Sequence, residues 1–357
     1  ATGTEMMETR IRTILGSAER MREVGDEEVD LVVTSPPYPM IEMWDESFVQ
    51  QDARIGDALA AGDGSGAFER MHAILDRAWG EVWRVLKPGG MACINIGDAT
   101  RSFDGDFRLY PNHVHALGEL LRLGFAALPD ILWRKQTNAP TKFMGSGMLP
   151  VGAYVTYEHE YILVVRKGSR REFGTERERG CRRESAFFWE ERNVWFSDIW
   201  FDVKGVSQSG GDETARPRSG AFPFELAHRL VCMFSVKGDV VLDPFAGTGT
   251  TLAAALATGR NGIGVELDEG FCDLAREQIV SAGDFANRFN RERLRKHIEF
   301  AAGKGEGRPI KHTNAHYGFP VVTGQERELR FDEVREVREI DCGDFVVEYA
   351  EEPLRPL

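Results

Sequence analysis

Val240-Val241-Leu242-Asp243-Pro244-Phe245-Ala246-Gly247-Thr248-Gly249-Thr250-Thr251 reads as a buried strand that runs into a glycine turn and opens a helix. In open α/β sheets, ligands bind where strand ends meet helix starts, and glycines there let the backbone approach them closely. Gly247 and Gly249 fit that role. A dinucleotide fingerprint would need a third glycine where Leu252 stands, and a Walker loop would need Gly-Lys-Ser/Thr, so a phosphate-binding loop is disfavoured. Glu266 ends the next strand-like run, 23 residues after Asp243, about where an acidic side chain takes the hydroxyls of a ribose. An acid without a phosphate cradle indicates a nucleoside cofactor. Asp243 is then expected to face a cationic part of the ligand, and Thr250 and Thr251, at the helix start, to help bind a carboxylate. S-adenosylmethionine carries all three features.

Outward from this stretch, strand-like runs recur with helix-like segments between them, the pattern of a parallel sheet covered by helices. The spacing predicts strands at 29–34, 91–96, 131–134, 161–165, 240–242 and 262–266. Helices are predicted over 67–86, 112–123, 223–234, 250–257 and 270–281, with a basic helix over 285–298 and short strands near 328–331 and 345–349. Between Lys167 and Pro217 the periodicity gives way to charged and aromatic residues, which reads as an insertion with a small fold of its own. The fold class is therefore α/β and Rossmann-like, with a catalytic half over 1–167, the insertion over 168–218, a cofactor half over 219–284 and an extension of open role over 285–357.

Thr34-Ser35-Pro36-Pro37-Tyr38 stands directly after the first clear strand. Each proline fixes its own φ and biases the residue before it toward extended geometry, so this loop is rigid and can aim acceptors. An exocyclic amino nitrogen of cytosine or adenine is a poor nucleophile because its lone pair is delocalised into the ring. Acceptors that hold both hydrogens out of plane return the lone pair to nitrogen. Ser35 and the Pro36 carbonyl are placed for this, with Pro37 stiffening the loop and Tyr38 stacking on a base flipped out of its helix. On this segment alone, a plain Pro-Pro turn after a strand is the competing reading.

Taken together, the motifs resemble the S-adenosylmethionine-dependent DNA amino-methyltransferases that form 4-methylcytosine or 6-methyladenine. They are TSPPY at Thr34, LKPGG at Leu86, WRK at Trp133, HEYILVVRK at His159, FPFELAHRL at Phe222, DPFAGTGTT at Asp243 and GVELD at Gly264. With the catalytic motif first and the cofactor motif last, the circularly permuted order is similar to that family's β class. The resemblance implies catalytic roles for Ser35, Pro36, Pro37 and Tyr38. It implies cofactor contacts from Thr34, Phe222, Asp243, Phe245, Gly247, Gly249, Thr250, Thr251 and Glu266, and a target-recognition region over the insertion. Serine at position 35 resembles the cytosine-N4 members, and the run Pro39 to Asp45 resembles archaeal methylases of the sequence CTAG. Adenine N6 is the main alternative, and a DNA-binding protein that keeps the fold without catalysis is a further one. Double-stranded DNA is the expected partner, with a cognate restriction endonuclease of a restriction-modification pair as a second, and the chain is expected as a monomer or homodimer.

The bulk numbers agree with this reading. The 357 residues, 42% hydrophobic and 28% charged, are ordinary for a globular protein, and no apolar run approaches the roughly 20 residues that span a bilayer. The start of the sequence shows no secretory signal pattern, so a cytoplasmic location is expected. Five scattered cysteines with no C-x-x-C pair fit reduced thiols. His312 and His316 have helical metal spacing but no third ligand near them, and no metal is expected. A net charge of −13 argues against non-specific nucleic-acid binding unless positive charge is clustered. Two segments are locally basic: 166–183, with eight Arg or Lys against three Glu, and 288–296, with five against one. Each is either a DNA contact or a solvated charged face.

Overall fold

The structure is a computed structural model that describes residues 7–103, 105–135, 144–204, 222–305 and 310–356. One large mixed sheet runs through it. Its strands, in chain order, are β1 (Glu8–Leu15), β2 (Val29–Thr34), β3 (Leu86–Ile96), β6 (Phe125–Ala127), β7 (Ile131–Arg134), β10 (His159–Lys167), β11 (Ile199–Trp200), β12 (Val240–Asp243), β13 (Asn261–Glu266), β16 (Asp332–Asp341) and β17 (Asp344–Pro353). The intervening numbers belong to hairpins: β4 (Ala99–Phe103) with β5 (Asp106–Tyr110), β8 (Met144–Gly145) with β9 (Ala153–Tyr154), and β14 (His312–Thr313) with β15 (Pro320–Val321). Spatial order is β11-β7-β10-β3-β2-β12-β13-β1-β17-β16, with β6 also paired to β10.

The five strands β3, β2, β12, β13 and β1 are mutually parallel. From β2 the chain moves to β3 on one side, and from β12 it moves to β13 on the other. The crevice between the carboxyl ends of β2 and β12 is therefore the topological switch point, where this architecture binds ligands.

Parallel strands covered on both faces read as continuous apolar runs, and Val29 to Thr34 is buried throughout. Leu31 and Val33 face one core with Val241, Ile162 and Val164. Val32 and Leu242 face the other with Leu163 and Val165. On the second face lie α1 (Asp45–Gln51), α2 (Arg54–Ala60), α3 (Gly64–Val85) and α4 (Asn112–Arg122), with Met71, Leu75, Trp79 and Val82 of α3 on the sheet side. Asp63 caps α3 by accepting from Gly66 N at 2.8 Å.

The insertion departs from expectation. Its described part holds α5 (Glu176–Glu184), α6 (Trp189–Trp195) and β11. This described part makes no core of its own. Phe188 packs with Leu294, Leu329, Phe331 and Leu354, so insertion and tail share one cluster. The first face of the sheet carries α7 (Phe224–Phe234), α8 (Thr250–Ala257) and α9 (Glu269–Gly305). The boundary expected at 284/285 falls inside α9, a single 37-residue helix where two were predicted. The extension, whose role the sequence leaves open, carries the sheet two strands further, β17 pairing antiparallel with β1 and β16 with β17.

Several residues of the basic segments are bound within the fold. Arg171 bonds Asp239 at 2.7 Å, Arg183 bonds Glu328 and Glu176 at 2.8 Å each, and Lys167 donates to the Leu86 carbonyl at 2.7 Å. These contacts sit at the amino ends of the parallel strands, away from the switch point. In 288–296, Arg291 pairs with Glu333, Arg293 with Glu191 and Arg295 with Glu292. His312 lies in β14 and His316 beyond it, so the helical metal spacing is not realised. Among the described residues no helix is long and apolar enough to cross a membrane.

Candidate active site

A cavity of about 310 Å³ opens at the switch point. Ser35, Pro36, Pro37 and Tyr38 form one wall, and Phe245, Gly247 and Glu266 form another. Two motifs more than two hundred residues apart in sequence thus meet in one cavity. The fold unites them because β2 and β12 are neighbours, with Leu31 opposite Val241 and Val32 opposite Leu242.

The loop Ser35 to Tyr38 is held by polar bonds from β3, from β10 and from Lys135 just after β7. Asn95 in β3 donates from Nδ2 to Tyr38 Oη at 2.8 Å and to Glu160 Oε2 at 2.7 Å. Tyr38 donates its hydroxyl to Glu160 Oε2 at 3.0 Å, and Lys135 Nζ stands 2.5 Å from Glu160 Oε1. Burial, then the charge of Glu160, pushes the Tyr38 phenol well above its usual value, so it stays a donor. With that proton committed to Glu160, the 3.0 Å contact between Ser35 Oγ and Tyr38 Oη leaves the serine as donor. The lone pairs of Ser35 then remain open as acceptors. An idealised Cβ on Gly97 would lie 3.0 Å from Tyr38 Cε2, so glycine there leaves room for the ring.

The cofactor loop sorts the expected residues into two groups. Glu266 lies on the cavity, its Oε2 accepting from Gly247 N at 2.8 Å and its Oε1 from Asp268 N at 3.0 Å. Burial raises its pKa. Both oxygens keep lone pairs for a diol, and Phe245, Leu267, Phe271 and Leu75 supply apolar wall beside them. This donor set fits a nucleoside.

The expectation for Asp243 is corrected. It is buried and accepts from Thr34 Oγ1 at 2.6 Å, Thr251 Oγ1 at 2.7 Å and Phe245 N at 3.1 Å, so it clamps the two loops together instead of meeting a cation. Burial pushes its carboxyl up to about 6 despite those bonds. Thr251, fully buried and also donating to the Val33 carbonyl at 3.2 Å, has no hydroxyl left for a carboxylate, and Thr34 acts through Asp243. Thr250 is partly exposed at the first turn of α8 but does not line the cavity. Gly249, at φ 84°, is the N-cap of α8, where a Cβ would lie 3.1 Å from Ala275 Cβ, so it serves helix packing. Phe222 is buried in the core beside α7 and also lies off the cavity. The loop after β1, Gly16 to Glu19, completes the wall and has no counterpart among the expected site residues, because β1 itself is not among the predicted strands.

The fold and cavity define a Rossmann-like transferase in which a rigid acceptor loop faces a nucleoside pocket. The family model for the DNA methylases of the N6/N4 group matches residues 29–277. The chain is similar to the Type II methyltransferase M.MthZI of Methanothermobacter thermautotrophicus, with 48% identity across 97% of this chain and 96% of that one. It is likewise similar to the Type II methyltransferase M.MjaI of Methanocaldococcus jannaschii, with 46% identity across 76% and 91%. Among solved structures, a putative DNA modification methylase of Thermus thermophilus, complexed with S-adenosyl-L-methionine, aligns with TM-score 0.58 at 36% identity, covering 76% of this chain and 95% of that one. The chain belongs to the N6/N4 DNA methylase family. Its cofactor is S-adenosylmethionine, and its substrate is DNA.

Proposed function

We propose that the chain is a Type II, site-specific methyltransferase that methylates the exocyclic N4 of a cytosine flipped out of duplex DNA. The observation that carries this reading is Ser35, with its lone pairs open, sharing one cavity with Gly247 and Glu266. Two archaeal relatives that are named Type II methyltransferases support the class. The resemblance of Pro39 to Asp45 supports CTAG as the target. A cognate endonuclease acting on the same site belongs to this reading.

S-adenosylmethionine, when bound, supplies an electrophilic methyl carbon. The chain's own residues do the rest. Ser35 Oγ and the Pro36 carbonyl accept the two amino hydrogens, so that nitrogen presents its lone pair to the methyl group. Transfer of that methyl group would leave an excess proton on the nitrogen. Ser35 takes it, its own proton passes to Tyr38 Oη, and the phenolic proton passes to Glu160 Oε2 along contacts of 3.0 Å each. Lys135 holds the other carboxylate oxygen in place.

Arg171 is tied to Asp239 at the amino end of β12 and Phe188 is packed against α9 and the tail, so in this reading base contacts expected of 168–218 fall to residues after β11; those at 205–218 lie outside the described residues. The hairpin β8–β9 joins them, because the connection from Lys135 to Glu160 starts and ends at the cavity and exposes Met148 and Val151.

Nucleoside mass spectrometry of CTAG-containing duplex DNA, after incubation with the cofactor, tests the proposal. The expected product is 4-methylcytosine. Appearance of 6-methyladenine instead overturns the choice of base, and unmodified DNA at every salt concentration overturns the enzymatic reading.

A further inference from the structure

Away from the catalytic cavity, α3 and α4 bury a histidine with one nitrogen left over. His72 is fully buried, and its Nε2 lies 2.9 Å from Asn112 Oδ1. The amide of Asn112 cannot be turned the other way, because its Nδ2 donates to the carbonyls of Pro39 at 3.0 Å and Gly97 at 2.9 Å. Nε2 of His72 therefore carries the ring proton, and Nδ1 presents a bare lone pair. Among the described residues nothing bonds to that lone pair. Asp76, one turn further along α3, has a buried Oδ1 that is likewise without a partner, while its Oδ2 stands 3.2 Å from His115 Nε2 of α4. His72, Asp76 and His115 each offer an atom within 4.8 Å of the other two.

Two unpartnered acceptor atoms, one turn apart on α3, each lose solvation with no bond in return. A cation between them removes both penalties. Two imidazoles and one carboxylate suit a borderline ion such as zinc better than magnesium or calcium, which take oxygen ligands. Asn112 fixes the tautomer of His72 from behind, as partners of metal-bound histidines do. Zinc–nitrogen bonds of about 2.0–2.1 Å bring donor atoms roughly 3.3 Å apart; Asp76 and His115 already stand 3.2 Å apart, with a His72 nitrogen within 4.8 Å of both, so a short approach completes the set. The side chains of His115 and Asp76 are 24% and 27% exposed, which gives them room to turn and gives the ion an entry path. His115 must leave its stack on His72, where the ring centroids are 3.9 Å apart.

We propose that His72 Nδ1, Asp76 and His115 bind one zinc-class divalent cation, with an open fourth position. The ion would also brace the catalytic loop, since Asn112 grips Pro39 and Gly97 on either side of Tyr38.

The test uses the full chain, without a histidine tag and stripped by chelator, titrated with cobalt(II) as the probe. The expected result is visible absorption that saturates at one equivalent, with a rise in melting temperature on adding cobalt or zinc. His72→Ala could simply unfold the core, so the test rests on the partly exposed partners. Asp76→Asn and His115→Ala should each weaken binding by about tenfold or more while leaving the metal-free melting temperature near that of the parent. If only a water fills the gap, stoichiometric cobalt changes neither spectrum nor melting, and the proposal falls. It falls equally if both variants bind as the parent does.

Discussion

Ser35 has one hydroxyl, and its neighbours determine what that hydroxyl can do. Because Tyr38 gives its proton to Glu160, Ser35 is left to give its own to Tyr38 and to accept from the substrate. Glu160→Gln is therefore expected to lower turnover by about 10²–10³ while cofactor affinity stays within about twofold, measured by steady-state kinetics and calorimetry. Comparable loss of cofactor affinity would show that Glu160 serves the pocket and not the proton. Asp243 gives a second prediction, in the opposite direction from most carboxylates. Its folded pKa is raised to about 6 from 3.8, so between those values the native state holds more protons than the unfolded state. Its contribution to stability thus falls as pH rises through that window and levels off above it. Asp243→Asn lacks this titration and should gain on the parent by up to roughly 3 kcal/mol across the window, as read by urea unfolding at its two ends. Ser35, Tyr38, Gly247 and Glu266 were legible in the sequence because loop chemistry is local. Asn95, Lys135 and Glu160 were not, because they lie inside or directly beside runs that read as buried strands; the available signal was a polar residue within or bordering such a run. Asp243 and Thr251 were misassigned because sequence cannot tell a residue that faces a ligand from one that faces its neighbour.

Among the elements, those with strong periodicity were read within a few residues, and α8 was read at its observed bounds. The failures have physical causes. Glu8 to Leu15 carries Arg10 and Arg12 between its apolar residues and lies beyond the clear apolar runs, so β1 went unread. The predicted break in α9 fell at Ser281-Ala282-Gly283-Asp284, which looks like a helix stop. Gly283 instead admits β16: a Cβ there would lie 3.1 Å from Val334 Cγ1. Gly249 makes a similar close approach between α8 and α9, with the added constraint of a left-handed φ. Gly249→Ala should cost about 1–3 kcal/mol and lower the melting temperature, from strain at that φ together with crowding against Ala275. A variant as stable as the parent would mean that the turn relaxes freely.

For the whole molecule, the basic segments show how reading charge along a chain can mislead. Arg171, Arg183 and Arg293 look clustered in sequence, yet their partners Asp239, Glu328 and Glu191 come from other elements. The segment 166–183 also sits across the sheet from the cavity. The double variant Arg170→Ala with Arg182→Ala is accordingly expected to leave DNA affinity within about twofold and its salt dependence unchanged, measured by fluorescence anisotropy. A shallower salt slope would show that DNA reaches that edge. The position of β1 bears on how the chain assembles. Its neighbours are β13 and β17, so every pairing of that strand joins residues about 250 to 340 positions apart. During synthesis β1 emerges before β13 and β17 and waits unpaired until they are made. Glu8, Arg10 and Arg12 keep that waiting edge charged, which protects the nascent chain from pairing with the wrong strand.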